Sequence, residues 1–175
     1  MKNFCAFLRG VNVKGTNMKM TEVCKVFSDA GMQNVSSVLA SGNILFQSEK
    51  DEVELKNILE KAMSGYFSYD AFLFIRNEEE INGIFKNDPF PSKENFHNYI
   101  FIGSDSIEET LLQEFEKATK EEGEQGQIVN GIFYWQVPKG QTLGSTFGKI
   151  LGRKTLKDKM TSRNSNTFEK IINKF

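Results

Sequence analysis

The sequence predicts an α+β protein of two packed ferredoxin-like (βαββαβ-type) subdomains with an extra C-terminal helix. Three observations carry that reading. In the first half, short apolar runs alternate with helical-period segments in the order strand, helix, strand, strand, helix, strand. The same order returns after a turn-rich stretch, NDPFPSKENFHN, which holds two of the three prolines. Glycine-containing turns, SG in the first half and NG in the second, sit between the paired strands.

The elements follow in order. Residues 4–8, FCAFL, form a continuous apolar run read as a buried strand. A polar loop with Arg9, Gly10, Asn12, Gly15 and Asn17 comes next. Met20, Val23, Phe27 and Ala30 then recur at helical spacing until Gly31 stops the helix. Residues 35–39 and 44–46 read as strands around a short turn at Ser41 and Gly42. Asp51 with Glu54 makes a capping box for a helix that buries Leu55, Ile58, Leu59 and Ala62. Residues 71–75 supply a fourth strand, and Glu78 opens a short helix with Ile81, Ile84 and Phe85. The expected organisation is a first subdomain over 1–78, a helix and proline-containing linker over 79–96, and a second subdomain with the C-terminal helix over 97–175.

In the second half, residues 99–102 are a strand. Ser106 and Glu109 are placed to cap a helix burying Ile107, Leu111 and Phe115. QIVNGIFYWQV is a hairpin turning at Asn130 and Gly131, the strongest short-range hairpin signal in the chain. A helix with Leu143, Phe147 and Ile150 on one face follows, with Gly144 and Gly148 marking close backbone packing. Residues 159–163 give a last strand, and Phe168, Ile171 and Ile172 a last helix.

Composition narrows the function classes. A net charge of −1 excludes a wholesale electrostatic nucleic-acid binder. Cys5 and Cys24 lack CxxC or metal-ligand spacing, which reads as reduced thiols and a cytoplasmic protein. The N-terminal apolar run is too short for a signal peptide, and no stretch is long enough to span a bilayer. His97 is the sole histidine, and Ser41 lacks the G-x-S-x-G frame of a nucleophile elbow. The acidic pairs, Asp51 with Glu52 among them, read as solvated helix ends. No cofactor and no metal are expected.

The stretch FLRGVNVKGTN, residues 7–17, carries more polar chemistry than a turn requires. A phosphate-binding P-loop needs Gly-Lys-Ser/Thr directly before its helix; here Lys14 precedes Gly15 and Thr16 stands in the lysine's place. Topology suggests a different use. If the first and third strands lie antiparallel side by side, Arg9, Gly10 and Asn12 meet Ser41, Gly42 and Asn43. A second polar string, TSRNSNT, stands at the mouth of the last helix, where exposed N–H groups favour an anion. Its candidate ligands are Thr161, Arg163, Asn164 and Asn166. Against these readings stand structural ones: Asn164 or Ser165 as an N-cap, Arg9 paired with a carboxylate, and asparagines holding turns. For RNA, the sheet aromatics Phe4, Phe7 and Phe46 and the run of Phe133, Tyr134 and Trp135 are the candidate stacking residues.

LRGVNVKGTNMKM (residues 8–20), VLASGNILFQS (38–48), TSRNSNTFEKI (161–171) and the linker NDPF together resemble an uncharacterised bacterial family, domain of unknown function (DUF) family 1697. The chain departs from it at Lys14, where the family often has a second glycine, and at Leu39 or Ser165, where it often has an aromatic residue. The resemblance implies an α+β fold with ferredoxin-like subunits and supplies no activity. The expectation is a binding protein with one polar, anion-attracting pocket for a small anionic ligand, built from Arg9, Asn12, Ser41, Asn43 and Arg163 with its neighbours. The alternatives are a metal-independent enzyme acting on a phosphorylated or carboxylated metabolite, and a nucleic-acid-binding module.

Overall fold

The computed structural model describes residues 1–11 and 17–175. Its elements are β1 (Lys2–Leu8), α1 (Met20–Asp29), β2 (Gln33–Val38), β3 (Asn43–Ser48), α2 (Glu52–Phe67), β4 (Leu73–Asn77) and α3 (Glu78–Lys86). There follow β5 (Phe96–Gly103), α4 (Ile107–Lys117), β6 (Gln125–Val129), β7 (Ile132–Pro138), α5 (Thr146–Leu151), a 3-10 turn (Lys154–Leu156), β8 (Met160–Asn164) and α6 (Ser165–Ile172). The chain divides into two units. The first comprises Met1–Asn82 and Glu169–Phe175, the second Gly83–Phe168.

Each unit holds one four-stranded antiparallel sheet, ordered β2-β3-β1-β4 in the first and β6-β7-β5-β8 in the second. Both are the strand order of a ferredoxin-like βαββαβ unit. In the first unit Phe4, Ala6 and Leu8 of β1 join Val23 and Phe27 of α1 and Leu55, Leu59 and Met63 of α2 in one core. The Phe46 ring stacks on Phe4 at 5.7 Å and meets the edge of Phe27 at 5.6 Å. Cys5 and Phe7, on the opposite face of β1, are also fully buried, which is why this strand reads as unbroken apolar sequence.

Helix starts follow local chemistry. The Asp51 carboxylate accepts the Glu54 N–H at 2.9 Å, as the capping box predicts. α3 begins with a reciprocal box: Asn77 Oδ1 accepts from Glu80 N (3.0 Å), and Glu80 Oε2 accepts from Asn77 N (2.9 Å). Ser106, expected to cap α4, sits instead in the left-handed region (φ 62) and makes no capping bond. A capping serine is ordinarily extended, so the left-handed backbone departs from the geometry that the expected cap needs.

The second core gathers Phe101, Phe115, Phe133, Trp135 and Phe147, with the Trp135 and Phe147 rings 5.2 Å apart. Asn130 (φ 49) and Gly131 (φ 76) form the left-handed pair that an NG hairpin turn requires. α5 starts three residues later than the apolar spacing suggests. Ser145 caps it by accepting from Gly148 N (3.0 Å), and Leu143 lies in the preceding loop, 83% exposed. Gly148 is closely packed as expected: a Cβ there would run into the Thr142 carbonyl. Gly144 lies outside the helix.

Candidate functional site

The rim of the first sheet is assembled by β-pairing. Phe7 is opposite Asn43, and the next rung carries a bond from Leu8 N to Gly42 O (2.8 Å). Arg9 N then donates to Phe72 O (3.1 Å). Arg9 therefore leaves β1 between the β2–β3 turn on one side and the approach to β4 on the other. The convergence expected from topology is met for Arg9, Gly10, Ser41, Gly42 and Asn43. Asn12 lies outside the described residues.

The turn itself occupies residues 39–42, longer than the two-residue turn expected, because Val38 pairs directly with Asn43. Asn43 is fully buried, and its amide donates to Val38 O (2.9 Å) and Ser41 Oγ (3.0 Å), so it holds the turn closed. Gly42 has φ 81, and a Cβ there would come within 3.0 Å of Leu8 Cβ and Val11 Cγ1. Only glycine lets this turn fold down onto β1. Ser41 is exposed, Arg9 and Gly10 are half-buried, and Gly10 is left-handed (φ 79). Leu39 is left-handed as well (φ 59), which costs a bulky L-residue about 1–2 kcal/mol. Chemically the rim brings an arginine, a hydroxyl and glycine backbone to one sheet edge, residue types that suit an anion site.

The second polar string runs from the last strand, expected over residues 159–163, into the start of α6. Thr161 and Arg163 belong to β8, opposite Ile102 and Ile100 of β5, so of the string's candidate ligands these two are strand residues and do not stand at the mouth of α6. Arg163 is only 8% exposed; its guanidinium donates to Thr161 Oγ1 (2.6 Å) and to Ser162 O (2.9 Å). Asn164 caps α6 by accepting the Asn166 N–H at 3.0 Å. That bond orients the amide so that Nδ2 faces His97 Nδ1 at 3.0 Å, which makes this ring nitrogen the acceptor. Asn166 is itself exposed.

Three clusters escaped the sequence reading. The proline linker is clasped to the second sheet around Asp88. Its carboxylate accepts from Ser165 Oγ (2.9 Å), Asn98 Nδ2 (3.2 Å) and Phe90 N (3.0 Å). Asn98 Nδ2 also reaches Phe90 O (2.8 Å), and the fully buried Gln136 donates to Pro91 O (2.9 Å) and Asn98 Oδ1 (2.8 Å). The second cluster corrects the expectation that Asp51 and Glu52 are simply solvated. Glu52 lies 4.0 Å from Arg76 and is reached by Asn77 Nδ2 at 3.5 Å. Burial, then the hydrogen bond and charge of Glu80, push its carboxyl up to about 7 against the pull of Arg76. Third is a cleft of about 500 Å³ lined by Lys2, Asn3, Asn77, Glu78, Glu79 and Asn82. Only the NDP turn left a trace in sequence, as an Asp that accepts the N–H two residues on.

The aromatic residues considered for stacking on bases are interior. Phe4 and Phe46 belong to the first core, and Phe133 and Trp135 to the second. The Tyr134 hydroxyl donates to Ile84 O (2.7 Å), and burial pushes its pKa up. Among the described residues no three His, Cys, Asp or Glu side chains converge to hold a metal. Nor is any helix of these residues long and apolar enough to cross a membrane.

A family model described as a protein of unknown function (DUF1697) matches residues 1–134. Among solved structures, the chain is similar to the conserved bacterial protein SP0830 from Streptococcus pneumoniae. The TM-score is 0.79 at 21% identity, over 98% of this chain and 97% of that one. The likeness is one of fold. No curated protein matches the chain.

Proposed function

The chain belongs to the DUF1697 family of proteins of unknown function, and from that premise we propose a binding protein whose first unit takes a small anion at the rim of its sheet. Arg9, Gly10, Ser41 and Gly42 form the site. The observation that carries this reading is the rung from Leu8 N to Gly42 O, which sets a cationic strand end beside an exposed hydroxyl turn. Asn43 contributes by locking the turn, since its amide donates to Val38 O and Ser41 Oγ. Cys5 and Cys24 are free thiols, in keeping with a cytoplasmic setting.

The test is a thermal-shift titration of the full chain with inorganic phosphate and with acetate, each with chloride at matched ionic strength as control. Wild type gains melting temperature with rising phosphate or acetate; Arg9→Gln loses that gain whatever its own starting stability. Arg163→Gln provides the contrast. If it alone abolishes the response, the site belongs to Thr161, Arg163, Asn164 and Asn166 instead. No response in any of the three proteins refutes anion binding.

A further inference from the structure

The β2–β3 turn contains a residue that closing a hairpin does not require. Five described residues other than glycine are left-handed: Asn34, Leu39, Ser68, Ser106 and Asn130. Four are short polar residues, of which asparagine tolerates this conformation best. Leu39 is the exception, and its apolar side chain stands 46% exposed. The rigid part of the turn lies elsewhere, in Gly42, which supplies the left-handed step beside β3, and in the Asn43 amide bonds. An asparagine or glycine at position 39 would serve the same backbone with less strain and less exposed apolar surface. Backbone strain that persists on an exposed turn clusters at ligand clamps. This turn is the one whose Gly42 carbonyl takes the Leu8 N–H, next to Arg9.

Resting on the anion reading of the rim, we infer that its ligand is amphipathic: a phosphate or carboxylate held at Arg9 and Gly10 that bears an apolar group lying on Leu39. The arginine end supplies charge recognition, and the leucine end selects against bare inorganic ions. Leu39 is thus a specificity-determining residue, with its backbone strain maintained to present an apolar side chain at a polar rim.

Calorimetric titration of the full chain with inorganic phosphate and with phenyl phosphate tests this. Wild type is expected to bind phenyl phosphate at least ~5-fold more tightly, the worth of covering part of one leucine side chain. Leu39→Gly and Leu39→Asn both suit a left-handed backbone and keep the fold. Both are expected to retain the affinity for inorganic phosphate and to lose the preference for the phenyl ester. Equal affinities in wild type, or a preference that survives in both variants, overturns the inference and leaves the anion site standing. Failure of both compounds to bind wild type removes the anion site as well.

Discussion

Glu52→Gln isolates the carboxyl that the fold holds least comfortably. In the folded chain Glu52 titrates at about 7 against an ordinary 4.5, because burial and Glu80 oppose its charge more than Arg76 favours it. The folded-state value is raised, so the folded state binds the proton more tightly than the unfolded chain. The resulting stability is fully present below pH 4.5 and is lost as pH rises through 7. At 1.36 kcal/mol per pH unit the whole interval corresponds to about 3 kcal/mol. The side chain is one-third exposed, 33%, and solvent reduces the figure to ~1–2 kcal/mol. Glutamine keeps an acceptor for Asn77 and a donor for Glu80 while removing the charge. For a chain of this size 1 kcal/mol moves the melting temperature by about 2–4 °C. Differential scanning calorimetry from pH 4.5 to 8.5 should therefore find the variant about 2–8 °C more stable than wild type near pH 8. The two curves should converge near pH 5. Parallel curves, or a variant less stable at pH 8, would refute the account of Glu52.

Asp88→Ala should cost ~2–4 kcal/mol in urea unfolding, since it releases Ser165, Asn98 and the Phe90 N–H together; a loss under 1 kcal/mol would mean the linker is not held by this carboxylate. Gly42→Ala should destabilise by ~1–3 kcal/mol and more than Gly131→Ala, because position 42 adds crowding against Leu8 and Val11 to its left-handed backbone, whereas nothing lies within 4 Å at position 131. Equal losses at the two glycines would remove the crowding argument. Asn164→Ala should cost ~0.5–2 kcal/mol and increase amide exchange in the first turn of α6, while Asn164→Asp, which keeps the cap acceptor, should protect that turn.

What the sequence revealed, and what it hid, divides along the range of the interactions involved. The NG turn, the Asp51 cap and the buried β1 are written in neighbouring residues, and each is found where expected, while the turn at Ser41 and Gly42 is in place but longer, over residues 39–42. The adjacency of Arg9 to Ser41 and Gly42 was also legible, because strand order alone dictates it. Leu143 misled because it sits at helical spacing from Phe147 and Ile150, yet the Ser145 cap places it outside α5. Thr161 and Arg163 were expected both on a last strand over residues 159–163 and at the mouth of the last helix, and the strand reading is the one met, at MTSRN. The Asp88 clasp was invisible for another reason: its partners lie 10 and 77 residues away, and no local pattern encodes such bonds. Leu39 shows the same limit in backbone terms, because nothing in LASG predicts a left-handed leucine.

The division of the chain into units bears on the order of its synthesis. The first unit is not finished when its sheet has been made: it takes in Glu169–Phe175, whose Lys174 donates to Ser37 O at 2.7 Å across the β2 edge. Those residues leave the ribosome only after the whole of the second unit. The second unit, from Gly83 to Phe168, is complete in one uninterrupted stretch and is free to fold as soon as it emerges. The sheet of the first unit is therefore made before Glu169–Phe175, the residues that complete that unit.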